Sequence, residues 1–447
     1  MNEPIFIARQ DTLEQEILPA HWLAQYKLFG EESYTFQDKE IWKKLCMSSA
    51  AANDRDMHAE ALEEMLTTFS AEHTGKWMLT VYGMDAAVLE GLASMAAIAA
   101  NGTAMAAVAG NALLMHAITN SETAMQAISR SQTAMQRIAN SATAMDAISG
   151  SKIARGAVQA SPYYNSYIKE NDMAIAKLVV SFANLASAGY SGMAGVAADA
   201  TAMNAVAASS TAMNAVAASS TAMNAVAASS VARNAISASP YYDAKIKEND
   251  MAIAKLVVGF ANLESARYSG CAGMAADSTA MTAVAASSTA MTAVAASSTA
   301  MTAVAASGVA LKAIAQAYKK TANMLQFLKA VNASDTLVKR IYSTLTNATA
   351  LFGAAQLGSQ DSVENANSWA TTSAAPNAFL ACACGYYGSS SDSVSVTYNG
   401  TVIAQKKTGT KQPGSVASTN VNAITMAPST FTENGDGYLA VQKFTAK

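Results

Sequence analysis

A ten-residue unit, STAMNAVAAS or a near relative, repeats almost letter for letter through the middle of the chain. It sets Met105, Met115, Met125, Met135 and Met145 ten residues apart, then Met203, Met213 and Met223, then Met281, Met291 and Met301. Val or Ile follows three residues later, as at Val108, Ile118, Ile128, Val206 and Val284. A strict short period sustained from residue 91 to residue 316 points to a stacked or extended body, because repeated units bury their apolar faces on their neighbours.

The period excludes a single straight helix. An α-helix advances about 100° per residue, so ten residues fall roughly 80° short of three turns. A Met/Val stripe would wind around such a helix and find no stationary partner. Coiled coils need periods of 7 or 11 instead. A broken helix fits better. Ser210 is expected to cap Thr211 to Ala218, with Ser219-Ser220 as the interruption and Ser220 as the next cap. Met213, Val216 and Ala217 then share one face. The residue after Met varies among Gln126, Asp146, Asn204 and Thr282, which suits an outward position. The Met row is read as the repeat core. The competing reading is an exposed Met-rich binding face. The expected fold is mainly α: an elongated array of two-turn helices, a decapeptide solenoid or spiral, with a helical N-terminal domain and a small C-terminal antiparallel β-sandwich.

Residues 1–90 read as a helical anchoring domain holding Trp22, Trp42, Trp77 and His21, His58 and His73. The repeat body spans 91–316. Two copied inserts, 161–190 and 239–268, interrupt it. Ser161-Pro162-Tyr163-Tyr164 recurs as Ser239-Pro240-Tyr241-Tyr242, and ENDMAIAKLVV recurs from Glu170 to Glu248, an offset of 78 residues. Arg155 and Arg233 stand at Met positions. The next equivalents, Met193 and Cys271, come 38 residues later instead of 40, so the insert is read as a separate structural unit. Asn171-Asp172 and Asn249-Asp250 are expected N-caps.

A helical neck follows over 317–357. Leu311, Ile314, Tyr318, Thr321, Leu325 and Leu328 make a short heptad seam, and Ser334 is placed to cap the next helix. Residues 358–376 are rich in Ser, Asn and Thr and read as a connector. Residues 377–447 read as β-rich. Ser393 to Tyr398 alternates, Asn399-Gly400 turns and Thr401 to Ala404 returns, a strong hairpin signal.

Bulk chemistry narrows the function. The net charge is −3 and only 14% of residues are charged. No general pull toward nucleic acid or anionic lipid follows from that balance. Cys46, Cys271, Cys382 and Cys384 are no disulfide framework, and Cys382-Ala383-Cys384 lacks a second Cys/His pair at metal spacing. No secretory leader is expected from Met1-Asn2-Glu3-Pro4. The apolar stretch from Leu92 to Ile118 is broken by Asn101, Gly102, Gly110, Asn111 and His116, so no membrane span is expected. The four His are scattered, no phosphate-binding glycine loop is present, and Asp361 and Glu364 lie in the connector. No enzyme, cofactor or metal is expected.

The "SSTAMNAVAASSTAM" runs from Ser209 onward, and the C-terminal stretch from Asn420 to Phe444, resemble tail fibre proteins of tailed bacteriophages. The resemblance covers residues 91–316 and 377–447. It implies a virion component assembled in the host cytoplasm, a homotrimer, and partners among tail, baseplate or fibre proteins. It carries over no catalytic or binding residues. Residues 377–447 would either touch a host surface glycan or protein, or dock another fibre subunit. Tyr386, Tyr387, Tyr398 and Tyr438 are candidate distal contacts through stacking on sugar rings, against the plainer reading of sheet packing. Two other classes stay open: an ice-binding protein with periodic Thr, and a bacterial surface adhesin.

Overall fold

The computed structural model describes residues 92, 95–319, 321–360, 368–371, 377–386, 393–407, 415–426, 429–434 and 437–447. The expected anchoring domain, 1–90, lies outside the described residues. The described chain is mainly helical, with antiparallel sheets near its C-terminus. It divides into two compact units, Met1–Val196 and Ala197–Lys447.

A full decapeptide makes one helix of eight or nine residues and one extended residue, with a further turn residue between them where the helix has eight. Ser209, at φ −107° and ψ 116°, precedes the helix Ser210–Ala218, and Ser219 repeats the arrangement ahead of Ser220–Ala228. The cap is therefore the first Ser of each pair, one residue earlier than the sequence suggested. Ser209 Oγ accepts from the Ala212 N–H at 3.2 Å, and Ser219 Oγ from the Ala222 N–H at 3.0 Å. The extended residue turns the chain sharply. Ser278–Ala286 and Ser288–Ala296 are bent by 103°.

A second bond explains why the first Ser is chosen. Ser131 Oγ donates to Ala99 O at 2.6 Å, Ser141 Oγ to Ala109 O at 2.5 Å, and Ser151 Oγ to Thr119 O at 2.6 Å, each 32 residues back. In the second unit Ser229 bonds Ala197 O and Ser307 bonds Ala275 O, both at 2.6 Å. One hydroxyl thus satisfies an orphan N–H at the start of its own helix and a carbonyl at the end of an earlier one. Helices pack in the matching order. Gly102–Gly110 meets Gln132–Ala139, and Ala112–Asn120 meets Ala142–Gly150. In the second unit Ser278–Ala286 meets Gly308–Gln316, and Ser288–Ala296 meets Thr321–Asn332.

Met213 and Val216 are fully buried, and so is Ala212, which the periodic reading passed over. Its small side chain lets neighbouring helices approach. Met105, Met115, Met125, Met135, Met145, Met203, Met223, Met281 and Met291 are likewise at 0% exposure and Met301 at 1%. Isolated two-turn helices are unstable in water, so this burial holds them.

The inserts differ in form from the decapeptides, with a short helical turn ahead of an eleven-residue helix, yet they keep the stacking register. Ser161 keeps the 32-residue bond, to Ser129 O at 2.6 Å. Ten residues on, Asn171 caps Asp172–Phe182, and the Ile175 N–H donates to Asn171 O as Met213 N–H does to Ser209 O. Ile175 thus occupies a Met position. The decapeptide register runs unbroken through the long helix, and the phase shift arises in the loop that follows it. The second copy does the same with Asn249 and Asp250–Phe260.

The heptad seam is divided between two helices, Gly308–Gln316 and Thr321–Asn332. Leu311, Ile314 and Leu328 are buried in the chain's own core, with Tyr318 and Leu325 packed against it. The seam is consumed within one chain and offers no coiled-coil face. Ser334 caps Asp335–Asn347 by accepting from the Leu337 N–H.

Two four-stranded antiparallel sheets follow, ordered β1-β8-β3-β6 and β2-β7-β4-β5. The strands are β1 Phe352–Gln360, β2 Ser368–Thr371, β3 Ala378–Tyr386, β4 Ser393–Tyr398, β5 Thr401–Lys407, β6 Val421–Met426, β7 Ser429–Asn434 and β8 Gly437–Ala446. Asn399 and Gly400 both have positive φ, 44° and 77°, as a tight hairpin between β4 and β5 requires. The expected boundaries need correction. β1 and β2 lie ahead of residue 377, in the stretch read as neck and connector. β1 becomes a strand by pairing with β8 along its length. Asn332 also ties the last helices to β6: its Nδ2 donates to Ile424 O at 2.7 Å and its Oδ1 accepts from the Ile424 N–H at 3.0 Å. Tyr342 packs edge-on to Phe444 and donates to Val416 O. Helices and sheets in this unit share one core.

Candidate functional site

The two copied long helices end alike. Asn184 and Asn262 adopt left-handed backbone, φ 59° and 57°. Leu185 and Leu263 N–H groups reach back to Val180 O and Val258 O at 3.1 Å, closing the helix end. The loops then return to the start of the same helix. Asp172 Oδ1 accepts from the Met193 N–H at 2.9 Å, and Asp250 Oδ1 from the Cys271 N–H at 2.8 Å. A Cβ on Gly192 or Gly270 would meet that carboxylate at 2.1 Å, so a side chain there would have to displace the Asp that holds the loop.

A buried lysine pins each loop from inside. Lys177 is 2% exposed. Its Nζ bonds Asp146 Oδ1 at 2.6 Å and Ser187 O at 3.2 Å, and Ser187 Oγ donates to the same Asp146 oxygen at 2.8 Å. Lys255 is 0% exposed. Its Nζ bonds Asn224 Oδ1 at 2.7 Å, Ser265 O at 3.0 Å and Ala266 O at 3.4 Å, and Ser265 Oγ donates to Asn224 Oδ1 at 3.0 Å. The scaffold is copied, but Asp146 has become Asn224.

A cavity of about 700 Å³ lies beside the second lysine. Asn224, Ser230, Arg233, Gly259, Asn262, Leu263, Glu264 and Ser265 line it, with Ala227, Ala228 and Ala266. Arg233 Nη1 donates to Ala227 O at 2.6 Å, and its guanidinium lies 6.0 Å from the Phe260 ring centre. Burial lowers its pKa from the ordinary value. Gly259 lets its helix approach the Ala227 backbone closely: a Cβ there would meet Ala227 O at 2.4 Å.

Next along the loop, Arg267 pairs with Asp277 at 3.0 Å, and the Tyr268 hydroxyl donates to the same oxygen at 2.9 Å. Hydrogen bonds from the Ala280 N–H and then Tyr268 hold the Asp277 carboxyl below the usual carboxylate range. Cys271 is buried, and burial followed by its contact with Asp250 pushes the thiol well above its usual range. Such a thiol is no ready nucleophile.

Of the candidate distal tyrosines, Tyr398 is fully buried, and burial pushes its hydroxyl up to about 12. It packs in the core because the alternation of β4 turns that face inward. It cannot stack on a sugar at the surface. Tyr386 and Tyr438 stand at adjacent register positions on β3 and β8, each opposite a glycine, and Tyr387 lies outside the described residues. Cys382 is buried on β3. Among the described residues no three His, Cys, Asp or Glu side chains cluster to hold a metal, and no single helix is long and apolar enough to cross a membrane.

In the sequence Arg233 stands out only as a charge at a Met position, and Asn224 only as one of the variable residues after Met. Lys177 and Lys255 could have been noticed as charges inside otherwise apolar helical runs. A comparison with protein-family models finds no match, and a comparison with curated proteins finds none either.

Proposed function

We propose that the chain is a structural component of a phage tail fibre. In this reading the decapeptides form a solenoid with three helices to each turn, and the serine bonds reaching 32 residues back are the observation that carries it. A body built this way gains length by adding units, and each unit is stabilised by its neighbours. Residues 1–90 anchor it to the tail or baseplate. The C-terminal sheets contact the host surface or dock another subunit that does. The homotrimer rests on the family resemblance, since the heptad seam is used within the chain.

The packing order weakens the ice-binding alternative. Helices on one side recur every third unit, so the axial neighbour of Thr282 is Lys312, and no flat row of threonines builds up. The test is mass spectrometry of gradient-purified particles of a phage whose genome encodes the chain. Recovery at a fixed copy number per particle, and particles without fibres when the gene is removed, are expected. Absence from the particles overturns the reading.

A further inference from the structure

The two copied clamps differ where the difference matters electrostatically. In the first, a carboxylate, Asp146, sits against the buried Lys177 ammonium and the Ser187 hydroxyl. In the second, Asn224 keeps both bonds through its Oδ1. That arrangement leaves the amide Nδ2, a donor, uncommitted to the lysine on a residue that lines the cavity, where an aspartate would offer only acceptors. Arg233 stands on the same wall with only Nη1 engaged by Ala227 O. The cavity is therefore lined by an arginine and an amide side chain, and the amide in turn holds the buried Lys255 ammonium.

We propose that this cavity binds a small hydroxylated carboxylate, such as a uronic acid, free or as a unit of an acidic glycan. The ligand carboxylate takes the forked donors of Arg233 and the Nδ2 of Asn224, supplying the negative charge that Asp146 supplies in the other copy. The hydroxyl groups are met by Asn262, Glu264 and Ser230 on the lining. Glu264 and Asn262 are exposed, so the carboxylate of Glu264 is screened by water and serves as a hydroxyl acceptor at the rim. The volume suits a ligand of one or two sugar rings. The site goes beyond the fibre reading and would stand if the chain were no virion component.

Saturation-transfer NMR on the full chain with glucuronate, glucose, acetate and a polyuronate tests it. Glucuronate is expected to bind with a dissociation constant of ~1 mM, and glucose and acetate at least ~10-fold more weakly. Arg233→Gln and Asn224→Asp should each weaken glucuronate by ~10-fold or more, the latter by installing the carboxylate of the first copy. Asn224→Asp keeps the lysine paired, so an unchanged helical circular dichroism signal separates lost binding from lost fold. Arg155→Gln, at the equivalent position of the first copy, should leave binding unchanged. Saturable transfer to polyuronate as well would identify a glycan source, and transfer to the monomer alone a free acid. The proposal is overturned if glucuronate shows no saturable transfer, if acetate binds equally well, or if both cavity variants bind like the parent.

Discussion

The two copied segments share Ser-Pro-Tyr-Tyr, the capping Asn, the buried lysine and the glycine that closes the loop, yet they finish the same scaffold differently. In the first, the helix carrying Ser181 packs on the helix carrying Ser149, and the lysine is closed with a carboxylate. The second stacks Gly259 over Ala227 and closes its lysine with an amide, beside an open cavity. The caps and the buried lysine have stayed the same, while buried Met193 and Val196 have become Cys271 and Met274. Other changes fall on the turn after Ser-Pro-Tyr-Tyr, an α-helix over Tyr164–Tyr167 in the first copy and a π-helix over Asp243–Lys247 in the second, and on the loop, and neither alters the register.

Exchanging the stacked pair should give the largest effect. Gly259→Ser installs the residue of the first copy, but its Cβ would meet backbone at Ala227 O, 2.4 Å away. The helices must separate, at a cost of about 3 kcal/mol. The reverse change, Ser181→Gly, should cost below about 1 kcal/mol, from helix propensity alone. Urea unfolding of both variants reads the contrast. Equal losses would show that the two copies pack at the same spacing and sink the comparison.

Removing the lysines comes next. Lys177→Met leaves Asp146 beside Ser187 without its cation. Because the Asp146 side chain is about a third exposed, the loss should be about 2 kcal/mol, below that of a fully buried pair. Lys255→Met faces an amide and carbonyls and should cost below about 1 kcal/mol. A larger loss at 255 than at 177 would mean that the amide clamp is the stronger one. Ser149→Ala is smaller and of opposite sign. The Ser149 hydroxyl is buried without a hydrogen-bond partner, and the second copy has Ala227 there. The change should stabilise by about 1 kcal/mol, visible as a raised Tm.

How much of this was legible follows from where each determinant lies. The Met/Val period marks residues that are buried, because the same short helix meets the same environment at every turn. The cap was read one residue late, since either Ser of the pair could cap and the choice is made by a carbonyl 32 residues back. The insert looked foreign because Met193 and Cys271 come two residues early, although Asn171 keeps the capping position in register and the shift arises only in the loop after the long helix. β1, FGAAQLGSQ, has no alternation of its own and is made a strand by β8, far along the sequence. The cavity was invisible for a similar reason. Asn224, Arg233 and Glu264 come from three elements, and only the packing brings them to one wall.

The smallest effect tests the loop itself. Position 189 is Gly in the first copy, and its counterpart Arg267 pairs with Asp277 in the second. The Asp277 carboxyl titrates below its ordinary value through the Ala280 N–H, then the Tyr268 hydroxyl, with Arg267 assisting. Its stabilisation is therefore complete above the unfolded-chain value, about 4, and is lost as pH falls through the depressed folded value. Arg267→Gly should leave most of that in place, since the leading bonds come from elsewhere. At neutral pH the cost should be below about 0.5 kcal/mol and should shrink further in high salt, as for other exposed ion pairs. Thermal melts between pH 7 and pH 3 read both arms. If the parent and Arg267→Gly diverge by more at pH 3 than at pH 7, the arginine works through something other than the Asp277 carboxylate, because protonating that carboxylate should bring the two proteins together.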